Sequence, residues 1–234
     1  MEKNKVIMAV GAHHDDNELV AGTLARHKAD GWKLISVVMT NGVWINGKAS
    51  PEHTPIREAE SLAAAKLLDM ETEFLRFPEG HFRADQEATL ALTRVIRKHA
   101  PDIIITHPPH DYHFDHISTS RCVLDATYIS GNICVLPEIP GCRRPALYYS
   151  DAWFVPFEPD EYVDIGDLIE LKLNMLRCHK SQTPGDPEQT GGMIDLARQQ
   201  SRTRGIESGV RYAEAFRFVP FLGKVRLSRL LAPG

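Results

Sequence analysis

The architecture of this chain follows from one stretch, Val6-Ile7-Met8-Ala9-Val10-Gly11-Ala12-His13-His14-Asp15-Asp16-Asn17-Glu18, in which an apolar run passes into histidine and acidic residues. Five consecutive apolar residues predict a buried strand over 6–10. Residues 17–30 show partial helical periodicity and predict a helix. A strand followed directly by a helix is a β–α unit, and the polar cluster lies at its junction.

The same alternation of strand and helix repeats through the first half of the chain. Successive β–α units require right-handed crossovers and give a parallel sheet with helices on both faces. We therefore predict an α/β fold with a doubly wound, mostly parallel sheet. Further strands are predicted at 34–39, 73–77 and 102–106, and further helices at 56–68, 87–99 and 115–126.

The second half of the chain is less regular. Residues 131–145 hold three prolines and two glycines and predict a loop. We see no internal repeat and no low-complexity linker, so we predict a single domain over residues 1–234. Later strands are predicted at 146–149, 152–155 and 213–218, and later helices at 167–179 and 194–205.

Composition narrows the class of protein. The chain has 234 residues, of which 43% are hydrophobic and 25% charged, with a net charge of -4. This balance gives no indication of binding to nucleic acid or to an anionic membrane. The apolar stretch near the N-terminus is too short to span a membrane, and none of the four cysteines forms a C-x-x-C pair. We expect a cytoplasmic enzyme with reduced thiols.

A second polar cluster, His107-Pro108-Pro109-His110-Asp111-Tyr112-His113-Phe114-Asp115-His116, follows the fourth predicted strand. In a doubly wound sheet, ligands bind beyond the carboxyl ends of the strands, where the strand order reverses. With a 3-2-1-4-5 order, the first and fourth strands are neighbours at that point. The topology therefore predicts that the two clusters meet in one crevice.

The combined residue types suit metal-assisted hydrolysis. A catalytic zinc ion takes three protein ligands and keeps one open position, and His13, Asp16 and His116 are the candidates. Asp15 could take a proton from the attacking water and pass it to a leaving amine. His113, oriented and charged by Asp115, could stabilise an oxyanion.

Simpler interpretations exist for each motif. Asp16 could be only the N-cap of the following helix. The segment 107–116 could be a solvated polar loop. Trp44 and His53, in the loop after the second strand, could form a wall for a sugar or could merely anchor that loop.

At these residues the chain resembles the LmbE/PIG-L family of zinc-dependent N-acetylglucosamine deacetylases. The family pattern A-H-P-D-D after the first strand stands here as Ala12-His13-His14-Asp15-Asp16, and H-x-D-H after the fourth stands as His113-Phe114-Asp115-His116. The resemblance covers most of the chain in one order. Further matching segments are Gly22–Ala25, Thr40–Gly42, Arg57–Ala59, His179–Gln182 and Tyr212–Phe216.

The resemblance implies a Rossmann-like fold without a dinucleotide site, and no G-x-G-x-x-G follows the first strand. It also implies an N-acetylated sugar as substrate and a homo-oligomer. The roles that it implies are zinc binding by His13, Asp16 and His116, general-base catalysis by Asp15, stabilisation of the tetrahedral intermediate by His113 with Asp115, and substrate contact by Arg57.

Two departures from the family pattern concern the substrate. His14 replaces the usual proline, and we expect it to face the substrate or to support the ligands. Glu79-Gly80 stands where the family often has Asp-Gly. Tyr112 could donate to an oxyanion or could only shape its loop.

Three functions stay open at this point. The first is removal of an acetyl group from an amino sugar. The second is a related amidase that cleaves a larger acyl group, or a site that holds ferrous iron, because two histidines and one carboxylate also suit that ion. The third is a non-catalytic carbohydrate-binding protein whose metal is structural and is closed by His14 or His113.

Overall fold

The computed structural model describes residues 5–183, 185 and 189–221, and a seven-stranded sheet lies at its centre. The strands are β1 (Val6–Gly11), β2 (Lys33–Thr40), β3 (Trp44–Ile45), β4 (Lys48–Ala49), β5 (Glu71–Phe77), β6 (Ile103–Thr106), β7 (Ala146–Ser150), β8 (Glu161–Asp164) and β9 (Ala213–Phe218). The strand order of the sheet is β5-β2-β1-β6-β7-β9-β8. The first five strands in this order are parallel, whereas β9 runs antiparallel to both of its neighbours.

Helices cover both faces of the sheet because the central strands are apolar on both sides. All six residues of β1 are buried. The helices are α1 (Ala21–Ala29), α2 (His53–Lys66), α3 (Gln86–His99), α4 (Phe114–Ile129), α5 (Ile169–Leu176) and α6 (Met193–Ser208). Met8 and Val10 pack with α3 and α4 on one face, whereas Ile7 and Ala9 pack with α1, α2 and α5 on the other.

The predicted α/β fold and the predicted order of its first five strands are confirmed. Strand β1 pairs with β2 on one side and with β6 on the other, and Val10 is opposite Thr106. The carboxyl ends of β1 and β6 therefore open side by side into the crevice where the strand order reverses. Residues 1–4 and 222–234, the two ends of the predicted domain, lie outside the described residues.

Local differences from the sequence prediction have physical causes. The predicted strand at 152–155 is a loop, because Phe154 has a φ of 61°, in the left-handed region that strands do not use. The strand forms instead at Glu161–Asp164, at the edge of the sheet. Its burial alternates, but with two acidic residues among four it shows no apolar alternation in the sequence. The predicted loop after β2 contains the two-stranded hairpin β3–β4.

A buried ion pair fixes the turn that follows the first polar cluster. The carboxylate of Glu214 in β9 accepts hydrogen bonds from the backbone N–H groups of Gly22 (3.0 Å) and Thr23 (2.8 Å). Nζ of Lys172 lies 3.1 Å from the same carboxylate and donates to the carbonyl of Leu19 at 2.5 Å. These contacts connect α5 and β9 to the short 3₁₀ turn between β1 and α1.

Among the described residues, no helix combines the length and the apolar character that crossing a membrane requires.

Candidate active site

Donor atoms of three residues from the two polar clusters converge at the crevice. Nδ1 of His13 lies 3.1 Å from Nε2 of His116, and the two nitrogens lie 3.4 Å from Oδ2 and Oδ1 of Asp16, respectively. Atoms that bind a tetrahedral zinc ion at 2.0–2.1 Å are about 3.3 Å apart. The three residues predicted as ligands are therefore brought together at the spacing that a metal ion requires.

The charge balance of the cluster also fits a cation. Burial lowers the pKa of His13, but Asp16 and Asp115 outweigh it and raise that pKa to about 10. Burial also lowers the pKa of His116, but Asp16 and Asp111 outweigh it and raise that pKa to about 9. For Asp16, burial raises the pKa, but the neighbouring histidines hold it well below its usual value. The carboxylates thus draw positive charge to this point.

Each candidate histidine ligand is oriented by a second carboxylate. Oδ2 of Asp115 lies 3.2 Å from Nε2 of His13 and accepts the backbone N–H of Gly80 at 2.8 Å. Oδ1 of Asp111 lies 3.0 Å from Nδ1 of His116. Both side chains are almost fully buried. Such outer carboxylates fix the ring orientation of metal-binding histidines and raise their basicity.

The predicted link between Asp115 and His113 is wrong in one respect. The carboxylate of Asp115 hydrogen-bonds to the ring of His13. The ring of His113 contacts the backbone of Asp115 instead, because its Nδ1 accepts the Asp115 N–H at 3.2 Å. His113 is the N-cap of α4, so its ring accepts that orphan donor. Burial, with help from the other two histidines, lowers the pKa of His113. The lowered pKa favours the neutral ring, and its proton then lies on Nε2 because Nδ1 accepts the hydrogen bond. Asp115 opposes this shift but does not outweigh burial and the other histidines.

Sequence reasoning assigned no role to His107, which the structure places against the cluster. Its Nε2 lies 3.1 Å from Oδ2 of Asp16, and its ring stacks on that of His116 with 3.9 Å between centroids. The sequence did carry one indication of a role for His107, namely its position immediately after β6.

The interpretation of Asp16 as a helix cap is wrong. Its side chain makes no hydrogen bond to the turn that follows it.

A guanidinium joins Asp15 to a second acidic residue. Nη2 of Arg57 donates to Oδ1 of Asp15 at 2.9 Å, and Nη1 donates to Oε1 of Glu79 at 2.8 Å. Oε2 of Glu79 accepts the backbone N–H of Trp44 at 3.0 Å. Arg57 is almost fully buried, although it reaches the wall of the cleft. Its main contacts are thus these two carboxylates. Glu79, noted in the sequence only as a departure from the family's Asp-Gly, is therefore a residue of the site.

His14 does not face the cleft, so its predicted contact with the substrate is wrong. Its ring is 1% exposed, stacks on Phe74 with 5.4 Å between centroids, and packs against Gly42. A side chain on Gly42 would clash with it. Burial and nearby Arg57 lower the pKa of His14 to about 3. Its side chain points away from the cluster, between β5 and the loop after β2, and cannot complete a metal site there.

The cluster opens into a cleft of about 640 Å³, the size of a small-molecule site. Tyr112 lines this cleft, with its ring 5.5 Å from that of His116. Burial, with Asp16 and Asp111, raises the pKa of Tyr112, so its hydroxyl keeps its proton. Four aromatic residues line the cleft, namely Trp44, Tyr112, Phe114 and Trp153.

The fold and this cluster define a class of α/β proteins in which a candidate metal centre occupies the switch point of the sheet. Within that class, residues 8–127 match the family model PIG-L, GlcNAc-PI de-N-acetylase. This match covers more than half of the chain, and the chain belongs to the PIG-L/LmbE family.

Individual relatives extend the similarity over nearly the whole chain. Diacetylchitobiose deacetylase of Thermococcus kodakarensis is 27% identical over 230 aligned positions, and the alignment covers 92% of this chain and 84% of that protein. The structure of N,N'-diacetylchitobiose deacetylase from Pyrococcus horikoshii has a TM-score of 0.83 at 25% identity, covering 94% of this chain and 85% of the other. 4-Oxalmesaconate hydratase of Pseudomonas putida is 25% identical over 234 aligned positions, which cover 92% of this chain and 89% of that protein.

Proposed function

We propose that this protein is a zinc-dependent hydrolase that removes the N-acetyl group from an amino sugar or from a glycoconjugate that contains N-acetylglucosamine. The observation that carries the proposal is the convergence of donor atoms from His13, Asp16 and His116, with Asp15 beside them. The family and the deacetylases among the relatives support the same reaction.

The donor set limits the choice of metal. Two imidazole nitrogens and one carboxylate suit zinc, and the same set suits ferrous iron. A bound zinc ion would polarise the amide carbonyl and would lower the pKa of a water molecule. Asp111 and Asp115 would hold the two histidine ligands in the required ring orientation.

Asp15 acts as the general base and then as the acid. The reaction adds water to an amide, breaks the C–N bond, and releases acetate and an amine. Because Arg57 occupies Oδ1 of Asp15, Oδ2 is left to take the proton of the attacking water. The same oxygen then gives that proton to the leaving nitrogen.

Two neutral donors face the place where negative charge develops. The Nε2–H of His113 is free because Nδ1 already accepts the Asp115 backbone N–H. The hydroxyl of Tyr112 keeps its proton, as described above. Either group can stabilise the oxyanion of a tetrahedral intermediate by a hydrogen bond.

Hydration of a carbon–carbon double bond is the second candidate, because the hydratase relative matches this chain almost as fully as the deacetylase does. That relative is named for a carboxylate substrate. The cleft of this protein is lined by five carboxylates and by a single arginine among its described residues, which opposes an anionic substrate. Deacetylation is therefore the proposal that we adopt.

The test is release of acetate and amine from N-acetylglucosamine glycosides, measured with protein loaded with zinc or with ferrous iron. N-propionyl and N-butyryl analogues in the same assay define the acyl group, and 4-oxalmesaconate tests the hydratase alternative. We expect acetate release that a chelator abolishes and zinc restores. Asp15→Asn should reduce kcat by about 100-fold or more while metal content stays the same. Release that survives this substitution, or that survives removal of the metal, contradicts the proposal.

A further inference from the structure

We propose that the segment His179–Gln182 positions the general base, because it holds together the two structural elements that carry Asp15 and Arg57. We call this segment the clamp. The inference rests on the proposed deacetylation and adds positioning residues to it. The clamp resembles the family pattern, but none of the proposed ligands or reacting groups lies in it.

Asp15 and its partner Arg57 come from different parts of the fold. Asp15 precedes the 3₁₀ turn after β1, whereas Arg57 lies in the second turn of α2. The two residues are 42 positions apart, so tertiary contacts must set the 2.9 Å between Nη2 and Oδ1. A catalytic group that is misplaced by about 1 Å can lose about 100-fold in rate. The packing of α2 against the 3₁₀ turn is therefore part of the orientation of the base.

The clamp contacts both of these elements. Nε2 of His179 lies 3.2 Å from Oε1 of Glu18 in the 3₁₀ turn, and both side chains are almost fully buried. Glu60 of α2 accepts the backbone N–H of Ser181 at 2.8 Å on Oε1 and the hydroxyl of Ser181 at 2.6 Å on Oε2. Because Glu60 follows Arg57 by three residues, both side chains lie on the same side of α2. The clamp thus connects the 3₁₀ turn to the side of α2 that carries the guanidinium.

The last residue of the clamp shares an acceptor with Arg57. Nε2 of Gln182 donates to the carbonyl of Trp44 at 3.1 Å, and Nη1 of Arg57 donates to the same oxygen at 3.4 Å. The clamp also forms a turn of its own, in which the carbonyl of His179 accepts the backbone N–H groups of Gln182 at 3.0 Å and Thr183 at 3.1 Å. This turn fixes the directions of the contacting side chains relative to one another.

Ser181→Ala tests the clamp because it removes one hydrogen bond to α2 and leaves every proposed ligand and reacting group in place. In the acetate-release assay we expect kcat to fall by about 3- to 10-fold while KM changes by less than about twofold and zinc content stays the same. Ser181→Thr keeps the hydroxyl and should retain the wild-type kcat. Ser208→Ala is the matched control, because its exposed hydroxyl donates to the carbonyl of Arg204 within α6, and it should change neither parameter.

Combined variants show whether Ser181 acts through the base. Asp15→Asn removes the base, so adding Ser181→Ala to it should lower the remaining rate by less than about twofold. In the Arg57→Lys background the base is already disturbed, and Ser181→Ala should again have little effect. A segment that acted only on the stability of the fold would lower the rate by the same factor in all three backgrounds.

Crystal structures give a readout that does not depend on activity. In Ser181→Ala, we expect the contact between Nη2 of Arg57 and Oδ1 of Asp15 to lengthen beyond about 3.5 Å, or Asp15 to occupy a second rotamer. The contact between His179 and Glu18 should remain, because the substitution does not touch it. Ser208→Ala should leave all of these distances unchanged.

The outcomes separate the two proposals. Full kcat in Ser181→Ala, an undiminished effect in the Asp15→Asn background, or an unchanged contact between Arg57 and Asp15 would each contradict the clamp and leave the deacetylase proposal standing. If the wild-type protein releases no acetate with either metal, the proposed function fails. The crystal structures then decide by themselves whether the clamp holds Arg57 against Asp15.

Discussion

Nη2 of Arg57 donates to Oδ1 of Asp15 at 2.9 Å, and this contact determines which oxygen of the proposed general base is free. Arg57 simultaneously holds Glu79, so its planar guanidinium connects two carboxylates that would otherwise repel each other. A lysine cannot reproduce this geometry because it has no planar pair of donors.

We therefore expect Arg57→Lys to lower kcat by about 10- to 100-fold while KM changes less. The substitution disturbs the orientation of Asp15, whereas the substrate keeps its contacts. Arg57→Ala should also destabilise the fold by about 3–5 kcal/mol, because it leaves two largely buried carboxylates without their cationic partner. Kinetics and denaturant unfolding check these values. The matched control, Arg76→Lys, changes an exposed pair with Glu58 and should alter neither quantity. Full activity in Arg57→Lys would contradict the proposed role of Arg57 in orienting Asp15.

The carboxylate of Asp115 yields a second prediction. Because it hydrogen-bonds to Nε2 of His13, Asp115→Asn should weaken zinc binding by about 10- to 100-fold, as measured by competition with a chelator. Asp125→Asn, on the exposed face of the same helix, is the control. Unchanged zinc affinity with reduced turnover would instead place Asp115 in the catalytic step, through His113.

Metal binding should release protons. Because carboxylates raise the pKa of His13 to about 10 and that of His116 to about 9, this pair of histidines carries excess protons at pH 7 in the metal-free protein, whereas a metal ion binds neutral imidazole. Asp16 is already ionised and contributes none. Calorimetric titration with zinc at pH 7, in buffers of different ionisation enthalpy, should detect release of about one to two protons per ion. If no protons were released, the carboxylates would not raise the pKa values of these two histidines as described.

His14 offers a test of a corrected expectation. Its two ring nitrogens have no hydrogen-bond partner among the described residues, and a pKa of about 3 keeps the ring neutral. We expect His14→Leu to preserve kcat/KM and to leave the free energy of unfolding unchanged or raised by up to about 1 kcal/mol. Activity assays and denaturant titrations measure both. A loss of activity at normal metal content would return His14 to the site.

The sequence predicted the features that depend on chain order and strand ends. His13 and Asp16 follow one buried strand, and His116 follows another, so the parallel topology alone brings them to the same crevice. The roles that it missed depend on contacts between distant parts of the chain. Asp115 hydrogen-bonds to His13 and Gly80 because the loop after β5 lies over the start of α4, which no local pattern indicates.

The sequence also could not predict the direction in which a side chain points at a turn. His13 and His14 are neighbours, but the chain turns between β1 and the 3₁₀ segment so that one ring enters the cluster and the other stacks on Phe74. Strand β8 was not predicted because only one face of this edge strand is half-buried, and on that face Glu161 stands beside Val163 in place of a second apolar residue.

The most direct test of the account is anomalous diffraction at the zinc and iron edges from crystals of the protein prepared with each metal. The account predicts one ion within about 2.0–2.2 Å of Nδ1 of His13, a carboxylate oxygen of Asp16 and Nε2 of His116, with a further position open to the cleft. An ion closed by His113 as a fourth protein ligand, an ion bound only elsewhere, or no ion at full metal loading would contradict it.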